Sequence, residues 1–334
     1  LNGVIAMAEL LLEGDLTEPQ RSGLQLISQS GSSLLTIIND ILDYSKIEVG
    51  KMTIQPAPFD VVEAMEDIVA LLAPEAQKQK NEIAFTFDPI LPRLILGDHG
   101  RVRQIATNLI GNAIKFTSGG EIVVRLGGRL VGEDVHLLLE VEDSGVGISD
   151  ENLGLIFQPF EQMDGPKRQD GAGLGLSICR QLAALMDGDL SAISVPDQGS
   201  TFRFAAPFPR LEGGATVLKP LQGAAPVALY GDGAPVEGLA SQISALGGHI
   251  AADGQRPSLN IVSLPRDGHL PRDLRIAADA PSIIVAPQGV ATPTDLSARF
   301  PKGAQLLRRP VRTAILASNI ATLLGDAPAG RPAG

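Results

Sequence analysis

Hydrophobic positions at the start of the chain fall at helical spacing. Leu1, Val4, Ile5, Ala8, Leu11 and Leu12 share one face of a helix over 1–13, and Gly14-Asp15 interrupts it. Thr17-Glu18-Pro19-Gln20 then has the form of a capping box with proline early in the first turn. From there Leu24, Ile27, Gly31, Leu34, Leu35, Ile38, Ile41, Leu42 and Ser45 trace a single stripe to about Glu48. The pattern predicts an antiparallel helical hairpin with a second arm about 30 residues long. Its stripe is too large for two helices to bury alone, so a paired hairpin completing a four-helix bundle is expected; the alternative is packing on the next domain.

The period then changes. Gly50, Pro56 and Pro58 mark a linker, and Phe59-Asp60 opens a region of mixed pattern: a helix from Val61 to about Lys80, a strand at Ile83–Phe87 and a helix from Arg101 to Phe116. Alternating runs at Glu121–Leu130 and Val135–Glu142 read as a hairpin, a helix follows Gly173, and strands at Leu190–Val195 and Thr201–Ala206 close a mixed sheet. Residues 59–209 are thus expected to form an α/β sandwich, one sheet backed by helices. Residues 210–225 read as linker. A βα rhythm follows over 226–325: strands at 227–230, 249–252, 259–264, 282–286 and 304–308, with helices at 235–246 and 312–324. Residues 326–334 read as a linker tail.

Composition narrows the class. With 44% apolar and 19% charged residues the 334-residue chain is globular, with room for two or three domains. No apolar run approaches the roughly 18 residues of a membrane span, and no signal peptide opens it. The chain begins on Leu1-Asn2-Gly3 within a helical pattern, which implies sequence upstream. One cysteine, Cys179 in an apolar run, rules out an internal disulfide framework and fits a reducing, cytoplasmic setting. The net charge of −11 is uneven: residues 1–225 are strongly acidic, while 226–325 are slightly basic. That argues against nucleic-acid polymers as partners of the first two regions.

Four short segments carry the candidate chemistry: Asn108-Leu-Ile-Gly-Asn112-Ala-Ile-Lys115-Phe116, Asp143-Ser-Gly145-Val-Gly147, Gly171-Ala-Gly173-Leu174-Gly175-Leu176 and Gly199-Ser-Thr201-Phe. Each alone is weak in a chain with 37 glycines. Asn108 and Asn112 project from one helix face. Lys115 adds a point charge, and a glycine run opening a helix attracts polyphosphate through free N–H groups and the helix dipole. No Lys-Ser/Thr follows that run, so it is not a Walker loop. Gly199-Ser-Thr201 also serves as a plain turn into a strand.

In order and spacing these segments resemble the N, G1, G2 and G3 boxes of the histidine-kinase ATP-binding domain, with Phe157-Gln-Pro-Phe160 in the place of the F box. Leu1-Asn-Gly-Val-Ile and Asn39-Asp-Ile-Leu-Asp-Tyr-Ser-Lys46-Ile-Glu resemble the dimerisation and phosphoacceptor hairpin of the same family. The resemblance implies a homodimer through residues 1–50, Asp143 as reader of adenine, Phe116 packing on the base, Asn112 as ligand of Mg²⁺, Lys115 on phosphate, and Gly145, Gly147, Phe160, Gly171, Gly173, Leu174, Gly175, Leu176 and Thr201 as further ATP-binding positions. Asn108 reads either as part of that site or as a helix-backbone partner. Glu161–Asp170 would be a lid over the phosphates. In the family a His-Glu-x-Arg-Thr-Pro run stands immediately before the position of Leu1, which places the acceptor histidine upstream. His99, His136, His249 and His269 lack its context.

Residues 226–325 resemble a receiver domain whose chemistry is gone. Gly231-Asp232 stands where an acidic pair is expected, Ile261-Val-Ser263 where the phosphorylatable Asp should end a strand, Ala286-Pro287 where a hydroxyl belongs, and Arg309-Pro310 where Lys-Pro is usual. Such a pseudo-receiver would act by binding, docking on the kinase core. Arg272, Arg275, Arg308, Arg309 and Arg312 read either as an interdomain basic face or as a site for an anionic regulator such as cyclic di-GMP. The sequence is therefore expected to be a hybrid sensor histidine kinase core that uses Mg·ATP and relays phosphate to a receiver in cis or in trans. A nucleotide-binding pseudokinase scaffold and another ATPase of the same nucleotide fold are the rival readings.

Overall fold

The computed structural model describes residues 1–161, 173–211, 219–221, 226–270, 274–290, 300 and 303–325. The hairpin consists of α1 (Asn2–Leu12) and α2 (Glu18–Glu48). Thr17 caps α2 in the expected box, its backbone N–H donating to Gln20 Oε1 at 3.0 Å. The arms meet closely where Ile5 lies over Gly31: a Cβ there would fall 2.8 Å from Ile5 Cγ1. Of the predicted stripe, Ile27, Leu34, Ile38, Ile41 and Leu42 remain exposed, so most of it is unpartnered within one chain.

The second unit is built from β1 (Ala57–Asp60), α3 (Val61–Lys78), β2 (Glu82–Phe87), β3 (Leu94–Gly97), α4 (His99–Phe116), β4 (Glu121–Val131), β5 (Asp134–Asp143), α5 (Asp150–Leu153), α6 (Gly175–Leu185), β6 (Asp189–Val195) and β7 (Gly199–Pro209). Its main sheet has the order β2-β4-β5-β7-β6, with β2 parallel to β4 and the other pairs antiparallel. Aspartates start both long helices. Asp60 accepts from the N–H groups of Val62 and Glu63 and pairs with Arg93, and Asp98 accepts from Arg101 N–H and Gln55 N–H. Helices α3, α4 and α6 supply Ile68, Ile105, Leu109 and Leu182 to one core with Ile122, Leu139, Val141 and Phe204 of the sheet. Helix α3 stops two residues short of expectation because Lys80 adopts a left-handed conformation, φ 58°.

The third unit holds β8 (Pro226–Tyr230), α7 (Gly233–Ala245), β9 (His249–Ile250), β10 (Leu259–Ser263), β11 (Ser282–Ala286), β12 (Ala304–Arg308) and α8 (Thr313–Leu324). The strands are all parallel in the order β9-β8-β10-β11-β12, the doubly wound arrangement. The Arg309–Pro310 peptide is cis.

This unit is seated on the second through α7, which runs along β2. A Cβ on Gly238 would lie 2.4 Å from the Phe85 carbonyl oxygen. Beside it Glu66 of α3, only 7% exposed, accepts hydrogen bonds from the Thr313 N–H at 2.9 Å, the Thr313 hydroxyl and Gln242 Nε2 at 3.3 Å. Glu66 thereby caps α8 from another domain, and its burial raises its pKa against the pull of those donors. Arg309 pairs with Glu82 at 2.6 Å and Arg312 with Asp67 at 3.0 Å.

Candidate nucleotide site

Helix α4 presents Asn108 and Asn112 one turn apart, and Asn112 Nδ2 donates to Asn108 Oδ1 at 3.1 Å. That bond fixes the amide so that Asn112 keeps its Oδ1 as an acceptor, the atom type Mg²⁺ prefers. Asn108 does not bond the helix backbone; it abuts the first residue of α6, where a Cβ on Gly175 would fall 2.3 Å from Asn108 Nδ2. The asparagine pair and the N-terminus of α6 therefore form one wall. Lys115 lies 5.3 Å from the Phe116 ring centroid, placing a cation beside an aromatic face.

Asp143 is the last residue of β5. Its Oδ1 accepts from Gly145 N–H at 2.8 Å and faces the Thr117 hydroxyl at 3.5 Å. Burial raises its pKa, opposed by the hydrogen bonds from Gly145, Ser200 and Thr117. A carboxylate so placed can accept from an exocyclic amine entering the cleft. Thr201 sits half-buried on β7, opposite Glu142 of β5.

The glycines serve the chain more than a ligand. A Cβ on Gly145 would meet the Phe116 carbonyl oxygen at 2.5 Å, one on Gly147 the Val195 oxygen at 2.1 Å, and one on Gly199 the Asp143 oxygen at 1.8 Å. Gly147 and Gly199 also hold positive φ, 67° and 104°. The G1 and G3 segments are thus locked to each other by backbone contact. Ser194, unremarkable in sequence, ties them further by accepting from Ile148 N–H and donating to the Gly199 carbonyl, both at 2.8 Å.

Other positions depart from expectation. Leu174 is fully buried in the core, and Leu176 packs against it. Phe160 faces the hairpin: it is exposed, at φ 66°, with its ring 6.0 Å from Tyr44 of α2 in an edge-on pair, while its N–H donates to Gly173 O at 3.0 Å. Next to that contact Asp43 of α2 accepts from Arg101 Nη1 at 3.1 Å and Gln104 Nε2 at 3.0 Å, a link to the hairpin that the sequence did not announce. Gly171 and most of the expected lid lie outside the described residues, as does Arg272. The arginines of the third unit diverge: Arg308 donates to the carbonyls of Pro287 and Val290, Arg309 and Arg312 face Glu82 and Asp67, and Arg275 is exposed. Among the described residues no helix is long and apolar enough to cross a membrane.

Comparison with known proteins gives consistent matches. Residues 97–210 match the family described as histidine kinase-, DNA gyrase B- and HSP90-like ATPase, and residues 1–50 match the His Kinase A (phospho-acceptor) domain. The signal transduction histidine-protein kinase BarA of Escherichia coli K12 is 40% identical over 207 residues, 61% of this chain and 22% of BarA. The sensor protein TorS of the same organism is 41% identical over 209 residues, 62% of this chain and 22% of TorS. The chain therefore spans about a fifth of the length of those two relatives. A crystal structure of full-length ShkA in complex with AMPPNP superposes on the whole chain and 70% of its own, with a TM-score of 0.72 and 30% identity.

Proposed function

This chain belongs to the histidine kinase family, and we propose that it is the dimerising, ATP-binding core of a cytoplasmic hybrid sensor kinase that phosphorylates a histidine just upstream of Leu1. The observation that carries the reading is that α4 sets Asn108 and Asn112 against the α6 N-terminus and, at its C-terminal end, brings Thr117 to Asp143. Asp143 accepts the adenine amino N–H, Phe116 flanks the base, and Lys115 and the first N–H groups of α6 hold phosphate. Mg²⁺, when bound, would supply charge neutralisation for the phosphates. Asn112 Oδ1 gives it one ligand, and the asparagine bond fits that role. The acceptor imidazole attacks the γ-phosphorus in line, the bond to the bridging oxygen breaks, and ADP departs. The phosphoryl group then passes to a receiver aspartate, in cis or in trans. The exposed stripe of α2 supports pairing with a second copy.

The third unit is read as a pseudo-receiver, since Ser263 ends β10 where an acceptor aspartate would stand. Docked on α3 and β2, it restrains the ATP-binding domain. In this reading an anionic ligand such as cyclic di-GMP relieves the restraint by competing with Glu82 and Asp67 for Arg309 and Arg312.

The test extends the chain upstream through the acceptor and measures labelling from γ-labelled ATP, with and without residues 223–334. Labelling that strengthens on deletion is expected. Mg·ATP binding without labelling of either chain would replace this reading with a pseudokinase scaffold, and steady hydrolysis without phosphoprotein would point to another ATPase.

A further inference from the structure

The third unit touches more than the outer edge of the ATP-binding domain. From the loop after β10, Arg266 reaches the turn between α4 and β4. Its Nη1 donates to the Gly119 carbonyl at 3.1 Å, its Nη2 to the Gly120 carbonyl at 2.8 Å, and its Nε to Glu82 at 2.9 Å. The guanidinium thus serves two consecutive carbonyls and a carboxylate from three separate nitrogens, a spread that the single nitrogen of an ammonium cannot reproduce.

That turn is wired to the base end of the cleft. Gly120 N–H donates to Asn81 Oδ1 at 3.1 Å, and the buried Asn81 amide donates back to the carbonyls of Ile114 and Thr117 at 3.3 and 3.0 Å. Thr117 in turn faces Asp143. On the other side Glu121 N–H donates to Ser144 Oγ at 2.8 Å, and Ser144 N–H returns to Glu121 O at 3.0 Å. Gly120 itself is wedged between these residues: a Cβ there would lie 2.4 Å from Ser144 Oγ and 2.5 Å from Thr117 Cγ2. Thr117 and Ser144 are the groups that flank Asp143, one through its hydroxyl at 3.5 Å and one next in sequence.

We propose that Arg266 is a positioning residue of the nucleotide site, holding the Gly119–Glu121 turn so that Asn81, Thr117 and Ser144 fix the carboxylate of Asp143 for adenine. The inference deepens the nucleotide-binding reading and rests on it. The third unit then has two separable effects: it limits where the ATP-binding domain can go, and it completes the shell behind the base. Arg266 shares Glu82 with Arg309, and through its bonds to the Gly119 and Gly120 carbonyls it carries the second. Docking itself is held by α7 on β2, by Glu66 with Thr313 and Gln242, and by Arg309 and Arg312 with their carboxylates.

The experiment compares the whole protein with its Arg266→Ala and Arg266→Lys variants. Affinity for Mg·ATP and Mg·GTP is measured by calorimetry, and amide hydrogen exchange is followed at residues 119–121 and along β2 and α7. Wild-type protein is expected to prefer ATP. Arg266→Ala should lose about fivefold in ATP affinity, the low end of ordinary site-to-site coupling, and leave GTP affinity unchanged, so that base discrimination narrows by the same factor. Arg266→Lys should fall with the alanine variant. Exchange should quicken at 119–121 while β2 and α7 keep their protection. Unchanged ATP affinity with β2 and α7 still protected would overturn the proposal, and so would equal losses for ATP and GTP. If β2 and α7 lose protection in both variants, Arg266 is a docking residue and the assignment fails as well. Absence of nucleotide binding by the wild-type protein would instead defeat the nucleotide-binding reading on which the proposal stands.

Discussion

Replacing Glu66 with alanine should undock the third unit while leaving the ATP-binding domain folded. The carboxylate receives the Thr313 N–H, the Thr313 hydroxyl and the Gln242 amide in a setting where it is 7% exposed. Truncation leaves the Thr313 N–H and hydroxyl without their acceptor, while Gln242 Nε2 keeps its bond to the Val311 carbonyl at 2.6 Å, and a buried unsatisfied group costs about 1–3 kcal/mol. Water entering the space left by the side chain recovers part of that, while loss of the anionic cap at the start of α8 adds about 0.3–1 kcal/mol. A net change of about 3 kcal/mol follows, or roughly 150-fold in the docking equilibrium. Glu66→Gln keeps an acceptor oxygen for the Thr313 N–H and should cost about 1 kcal/mol. Hydrogen exchange in the native protein reads the difference at the Thr313 amide, which is bonded only across the interface in its helix's first turn. Exchange there should accelerate by about two orders of magnitude in Glu66→Ala. An acceleration below about threefold, with the glutamine variant indistinguishable from it, would refute the reasoning.

Asp143→Asn should weaken Mg·ATP binding about tenfold, because a charge-assisted acceptor becomes a neutral one. In the parent protein burial raises the Asp143 pKa, so ATP affinity should fall as pH drops through a value above the ordinary one for an aspartate, and this dependence should flatten in Asp143→Asn; binding isotherms across pH check both. Leu42→Glu places an unpaired charge in the exposed stripe of α2 and should convert a dimer to monomers in sedimentation analysis. Gly238→Val has no room beside the Phe85 carbonyl and should abolish protection of β2 from exchange while leaving nucleotide affinity above that of Asp143→Asn.

The parts of the molecule that could be read from sequence are those written by short-range rules. Periodicity located the long helices and the main sheet strands but not β1, β3 or α5, Thr17-Glu18-Pro19-Gln20 marked the start of α2, and the glycine and asparagine boxes identified the family. The fold class and family membership were legible on that basis. Side-chain destinations were not. Arg309 and Arg312 look like unclaimed cations in the sequence because Glu82 and Asp67 stand more than 200 positions away. The bond between Thr313 and Glu66 spans 247 positions, and nothing local distinguishes that glutamate from its exposed neighbours on α3. Phe160 was assigned to the cleft by its place between boxes, whereas its left-handed backbone turns it toward Tyr44. The glycines of G1 and G3 stand out in the sequence, and the close neighbours they admit are backbone atoms of this chain.

The position of α7 along β2 carries a consequence for solubility. Strand β2 ends its sheet, pairing with β4 on one side only. Its apolar run Ile83, Ala84 and Phe85 lies beside α7 and Pro310–Val311. A strand edge of this kind, once stripped of its cover, offers a row of backbone donors and acceptors to any other extended segment, including the same edge on another molecule. The third unit therefore acts as an edge guard. A chain cut before residue 226 should show concentration-dependent self-association unrelated to the helical hairpin, and a lysine placed on the bared strand should suppress it.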